Sequence, residues 1–130
     1  MRQLTKNFHR SEFDCKDGTK VPKTHKCNLI ELATNLQFLR DDLGAPISIS
    51  SGYRTSAHNQ RVGGAINSQH LSASAGDLHQ KKESSLELYR RIERLIKDGK
   101  MKNGGLGLYN SFVHYDVREK PARWDNSTIY

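Results

Sequence analysis

The feature that most constrains this chain is a set of three residues that a useful fold must bring together. The stretch Ser68-Gln69-His70-Leu71-Ser72-Ala73-Ser74-Ala75-Gly76-Asp77 carries a His and, seven positions on, an Asp. Phe112-Val113-His114-Tyr115-Asp116 answers it far along the chain. The gap from His70 to Asp77 is too long for one helical turn and suits a loop returning into a strand. His114 meets them if its strand neighbours that one. Two neutral imidazoles and one carboxylate suit a divalent metal that keeps an open position for water, as in a hydrolytic zinc site. Asp116, two residues past the last His, is then placed to serve as base. A blander reading stays open on spacing alone, because six histidines give chance pairings and a lone His is more often a surface or satisfied core residue.

The remaining pattern predicts what would carry such a set. Residues 1–27 read as polar and irregular. Asn28 reads as a helix cap, followed by Leu29, Leu32, Ala33, Leu36, Leu39 and Leu43 at helical steps, with Gly44 and Pro46 to stop the helix. Residues 47–50 alternate as a short strand, 56–61 suit a short helix, and 75–79 suit a strand carrying Asp77. Ser84-Ser85-Leu86-Glu87 is a capping box opening a second long helix. Residues 104–109 enter a strand. Residues 112–117 form another, with Val113, Tyr115 and Val117 on one face and Phe112, His114 and Asp116 on the other. After Arg118 the chain reads as a polar tail, 119–130, apart from Trp124. The order predicts a compact α+β domain over 1–130, a small antiparallel sheet with flanking helices.

Charge bears on partners. With 21 Lys and Arg against 14 Asp and Glu, the formal charge is +7. This favours an anionic partner: nucleic acid, a membrane surface or an acidic wall polymer. No block of five basic residues occurs, and no nucleic-acid motif is recognisable, so specific nucleic-acid binding is not expected. No stretch approaches the roughly 18 apolar residues of a membrane span. No apolar run follows the charged start, so the expectation is synthesis in the cytoplasm without a signal peptide, with export by another route. Cys15 and Cys27 are too few for a disulfide framework. They read as one bridge or two free thiols, with Cys15, His25 and Cys27 as a weaker metal cluster that lacks a fourth ligand.

Several ordered motifs carry a family resemblance. They are Ser51-Gly52-Tyr53-Arg54, His58-Asn59, Val62-Gly63-Gly64-Ala65, Asn67-Ser68-Gln69-His70 and Ala75-Gly76-Asp77-Leu78-His79. Gly104-Gly105-Leu106-Gly107-Leu108-Tyr109 and Phe112-Val113-His114-Tyr115-Asp116-Val117-Arg118 follow. Together with the opening Leu4-Thr5-Lys6-Asn7-Phe8 and Ser11-Glu12-Phe13, they resemble the D-Ala-D-Ala carboxypeptidase family of zinc peptidases, in particular its small phage and bacterial members. The resemblance covers roughly residues 4–124.

The resemblance implies hydrolysis of peptide bonds in peptidoglycan, with one zinc per chain held by His70, Asp77 and His114. It implies that Arg54 supports the substrate and its developing oxyanion. A phage or prophage endolysin is the first setting it suggests, a monomer acting on the cell wall after release at lysis or delivery with a virion. A bacterial carboxypeptidase or endopeptidase of wall remodelling, or a silent metal-stabilised binding module, are the alternatives. Two departures stand out. Ala73 occupies a position where many members have Gly. Ser111 occupies the position, three before the last ligand, where many branches have an acidic base. Asp116 is therefore the local candidate base, with the alternative that it only orients a ligand. His79 and Ser68 are candidate supports of the metal shell, and Tyr53 and Tyr109 candidate groove residues.

Overall fold

The computed structural model describes residues 3–128; positions 1, 2, 129 and 130 of the expected 1–130 domain lie outside the described residues. Helix α1 spans Lys26–Leu43, α2 Ser56–Arg61 and α3 Ser85–Lys97. Strands β1 Ser48–Ser51, β2 Ala75–His79, β3 Gly105–Leu108, β4 Val113–Asp116 and β5 Ala122–Asp125 form one sheet in the order β1-β2-β4-β3-β5. Every pairing is antiparallel except β3 with β5, which is parallel. The α+β class and the mainly antiparallel sheet are therefore as the sequence predicts.

Alternation gives this sheet two faces with different jobs. Leu78, Leu106, Val113 and Tyr115 turn toward the helices and join Leu29, Leu32, Leu36, Leu39, Leu88, Ile92 and Leu95 in one core. Each such fully buried side chain contributes about 1.5–3 kcal/mol by leaving water. On the opposite face, cross-strand register sets Asp77 beside His114, His114 beside Gly107, and Gly107 beside Trp124. A single row thus crosses four strands. Two glycines keep that face open. A Cβ on Gly105 would run into the Asp116 carboxylate, and one on Gly107 into the Trp124 indole. The Gly-Leu-Gly-Leu alternation of β3 is the imprint of this, with leucines to the core and glycines beneath functional side chains.

Several boundaries differ from the sequence reading. Asn28 lies inside α1, where its amide donates to the Ser72 carbonyl at 3.0 Å. The helix needs no side-chain cap, because a 3-10 turn over Lys23–His25 runs straight into it. The segment before α1 is irregular but well packed: Phe8, Phe13 and Cys15 are buried in or beside the core. The supposed polar tail contains β5, a strand too short and too polar to show periodicity. The capping box of α3 is present as predicted, with Ser84 Oγ accepting from the Glu87 amide at 3.2 Å and the Glu87 carboxylate accepting from the Ser84 amide at 3.0 Å. Cys15 and Cys27 are free thiols, one buried and one exposed.

Candidate metal centre

His70 is delivered by a 3-10 turn, Gln69–Ser72, not by a strand. Ser68 Oγ caps that turn by accepting the His70 amide at 3.2 Å, so Ser68 shapes the backbone. Ala73 ends the turn in the left-handed conformation, φ 59°. That is the physical reason a glycine suits the position, since a Cβ there costs about 1–2 kcal/mol. The His70 carbonyl accepts from the Arg54 amide at 3.0 Å, and His70 Nδ1 faces the Gly52 carbonyl at 2.7 Å. A carbonyl can only accept, so Nδ1 carries the proton and Nε2 presents a lone pair inward.

Nε2 of His70 lies 3.3 Å from Asp77 Oδ1, and Nδ1 of His114 lies 3.2 Å from the same oxygen. The ligating atoms of His70, Asp77 and His114 all lie within 4.8 Å of one another, and all three residues are buried. His114 is fixed from behind, its Nε2 donating to Asp116 Oδ2 at 2.7 Å. Two imidazole lone pairs and a carboxylate thus converge on one point with no donor of their own. Three acceptors so arranged repel unless a cation or a proton sits between them. The donor set fits a divalent ion and, with two nitrogens, one oxygen and an open side, fits zinc. Among the described residues this is the one such cluster; Cys15, His25 and Cys27 do not form another.

The electrostatics agree. Burial would raise the Asp77 pKa, but the His114 and His70 rings facing it outweigh burial and hold the carboxyl well below its usual range. Asp116 is likewise held low against its burial by His114 and Arg118. Burial would lower the His114 pKa, yet the bonds to Asp116 and Asp77 raise it overall.

Asp116 is not where a base open to a cleft would be. It is fully buried. Its Oδ1 accepts from the Gly105 amide at 2.9 Å and from the Arg118 amide and Nε at 3.1 and 2.8 Å. Its Oδ2 accepts from His114 and from Arg118 Nη2, both at 2.7 Å. Strand alternation does put it on the face of His114, as predicted, but behind the ring. Ser111 is exposed in the β3–β4 connection.

A cleft of about 510 Å3 opens over the three ligands. One wall is Arg54 with the Gly63-Gly64-Ala65 and Asn67-Ser68-Gln69 loop. Arg54 is held by Ser51 Oγ at 3.0 Å, Asn59 Oδ1 at 3.2 Å and Asp77 Oδ2 at 3.4 Å. The other wall is aromatic. Tyr109 stacks on Phe112 with centroids 4.3 Å apart, and its hydroxyl accepts from Trp124 Nε1 at 3.0 Å. Trp124 lies against His114 at 5.0 Å and under the Arg118 guanidinium at 5.3 Å. Tyr109 therefore lines the cleft, as the sequence suggested. Tyr53 does not: its ring packs against His25 at 5.9 Å. His79 sits against Phe112 at 6.0 Å, outside the ligand cluster. Sequence reasoning missed Asn59, Phe112, Arg118 and Trp124. A signal for Arg118 existed in its two-residue step from Asp116.

A sequence model of the family described as Peptidase M15 matches residues 6–116. The chain belongs to the M15 peptidase family. The zinc D-Ala-D-Ala carboxypeptidase of Streptomyces albus G is 34% identical to this M15 family member over 72 residues. That stretch is 55% of the chain and only 28% of the relative's length. The family match spans every residue of the ligand cluster and Asp116, and stops before Arg118 and β5.

Proposed function

We propose that this M15 peptidase uses zinc to hydrolyse a peptide bond in the stem peptides of bacterial peptidoglycan, with His70 Nε2, Asp77 Oδ1 and His114 Nδ1 holding the ion. The observation that carries the reading is the convergence of three inward acceptors beneath an open cleft. Zinc in such a site supplies Lewis acidity toward a carbonyl and lowers the pKa of water toward about 7. The chain's own residues do the rest. Gly52 and Asp116 fix the two imidazoles in the tautomers that leave the inward nitrogens free. Arg54, braced on three sides, offers donors to the carbonyl oxygen as negative charge develops there. Trp124, Tyr109 and Phe112 form an apolar wall against which a peptide can exclude water. Asp116 serves in this reading as the positioning partner of His114.

The cleft also favours a free carboxylate near the scissile bond. Arg54 and Arg118 both line it, and among the described residues Asp77 is the one acidic residue that does so. Arg118 binds Asp116 through Nε and Nη2, which leaves the Nη1 edge for an incoming carboxylate. We therefore favour removal of a terminal residue over cleavage inside a cross-link. Wall lysis by an enzyme of phage or prophage origin is the setting in which we place this chemistry.

The test is digestion of purified peptidoglycan by the zinc-loaded protein, with released termini identified by mass spectrometry. Loss of a terminal D-amino acid from stem peptides is expected, abolished in His114→Ala. Newly exposed termini within cross-links would instead make it an endopeptidase, and an unaltered polymer would contradict the proposal.

A further inference from the structure

A second cleft, about 560 Å3, lies away from the ligands and is lined by Arg10, Lys20, Lys23 and Lys26 over an apolar floor that includes Val21 and Leu29. Among the described residues no acidic side chain lines it. Arg10 is held in place by Asp14 at 2.7 Å, and Asp14 also accepts from the Val21 amide at 3.0 Å, so the near wall is fixed. The lysines are in a different state. Lys102 shows what a paired lysine looks like here, bonded to Glu31 and Glu119. Lys20, Lys23 and Lys26 are exposed and make no ion pair among the described residues. They also stand at the end of α1 where helices ordinarily carry acids, and α1 has none in its first turn. Like charges gathered beside the positive end of the helix dipole create a local field that attracts an anion.

We propose that this cleft binds a flexible polyanion whose charges are phosphodiesters joined by short polyol spacers, the chemistry of the phosphate polymers of a bacterial wall. The wall setting rests on the peptidase reading above; the binding does not. Three lysines on flexible stems act as point charges that follow a chain of phosphates, whereas planar capture of a carboxylate calls for arginine forks. Val21 and Leu29 can meet the carbon spacers. Nucleic acid fits less well, because among the described residues no aromatic ring lines the cleft for bases to stack on.

The experiment measures binding of short-chain poly(glycerol phosphate) to the 130-residue chain at several salt concentrations. Two triple variants are compared: Lys20→Gln/Lys23→Gln/Lys26→Gln, and Lys81→Gln/Lys82→Gln/Lys97→Gln, which removes the same charge elsewhere. The first should lose at least about tenfold in affinity, and its log K against log salt should flatten by two or more units, close to one per lost phosphate contact. It should also melt no lower than wild type at low salt, and cleave soluble peptide unchanged. The second should bind nearly as wild type. Equal losses in both variants would reduce the effect to net charge and overturn the site. Tighter binding of charge-matched single-stranded DNA would overturn the ligand class. If no peptide is cleaved by any of the proteins but binding still follows the first three lysines, the peptidase reading fails and the cleft stands.

Discussion

The two clefts are nearly equal in size, about 510 and 560 Å3, and opposite in construction. In the ligand cleft the charged groups are buried or half-buried, and braced. Arg54 has three partners, Asp116 is saturated by five hydrogen bonds, and each imidazole is gripped from behind. In the basic cleft the lysines are exposed and make no ion pair among the described residues. The difference follows from solvent. A buried charge without partners is unaffordable, so the ligand cleft has to be satisfied before any substrate arrives. An exposed lysine is hydrated and cheap to leave free. One cleft is built for geometry, the other for attraction.

The sharpest way to break that contrast is to remove a ligand. His70→Ala and His114→Ala should each lose metal and drop peptide hydrolysis to background, read by elemental analysis and a peptide assay. Full metal occupancy in either variant would mean that the converging acceptors are not the centre. Next in size, Arg54→Ala should lower turnover by roughly a hundredfold with metal retained, the scale of one lost oxyanion donor. Its brace also touches Asp77 Oδ2, so metal content must be measured alongside; unchanged turnover would leave Arg54 a bracing residue only.

Asp116→Asn separates two roles. A positioning partner of His114 should cost about 10- to 100-fold in metal affinity when altered. Intact affinity with lost turnover would instead make Asp116 the base, despite its enclosed position.

The smallest effect is on stability of the metal-free protein. There a proton on His114 can stand in for the ion, and the His114 pKa in the folded state lies above its ordinary 6.5. A raised pKa gives stability that is complete below the unfolded value and is lost as pH rises through the folded one. The metal-free melting temperature should therefore fall as pH rises from 6.5 through the raised pKa of the folded state. The metal-loaded form should not show this fall. A flat metal-free profile would place the balancing proton elsewhere.

The contrast between the clefts also explains what the sequence made legible. His114 and Asp116 share a face because a strand has period two, and that much is local. His70 and Asp77 were readable as a loop feeding a strand. The long helices showed in their leucine steps and in the Ser84–Glu87 box. What stayed hidden depends on which strand lies beside which. Trp124 joins His114 only because β5 pairs in parallel with β3 from a polar stretch, and because Gly107 leaves room for the indole. Asn59 reaches Arg54 across a loop. Tyr53 and Tyr109 look alike in sequence, yet only the second ends at the cleft. The enclosure of Asp116 comes from Gly105 and Arg118 together, and alternation alone says nothing of whether a face is open.

The most direct test is a zinc-soaked crystal examined by anomalous diffraction at the zinc edge. One strong peak is predicted, about 2.0–2.2 Å from His70 Nε2, Asp77 Oδ1 and His114 Nδ1, with a free coordination position toward Trp124 and Arg54. No peak at that point, or a stronger one on other residues, would contradict the assignment of these three side chains as the metal centre.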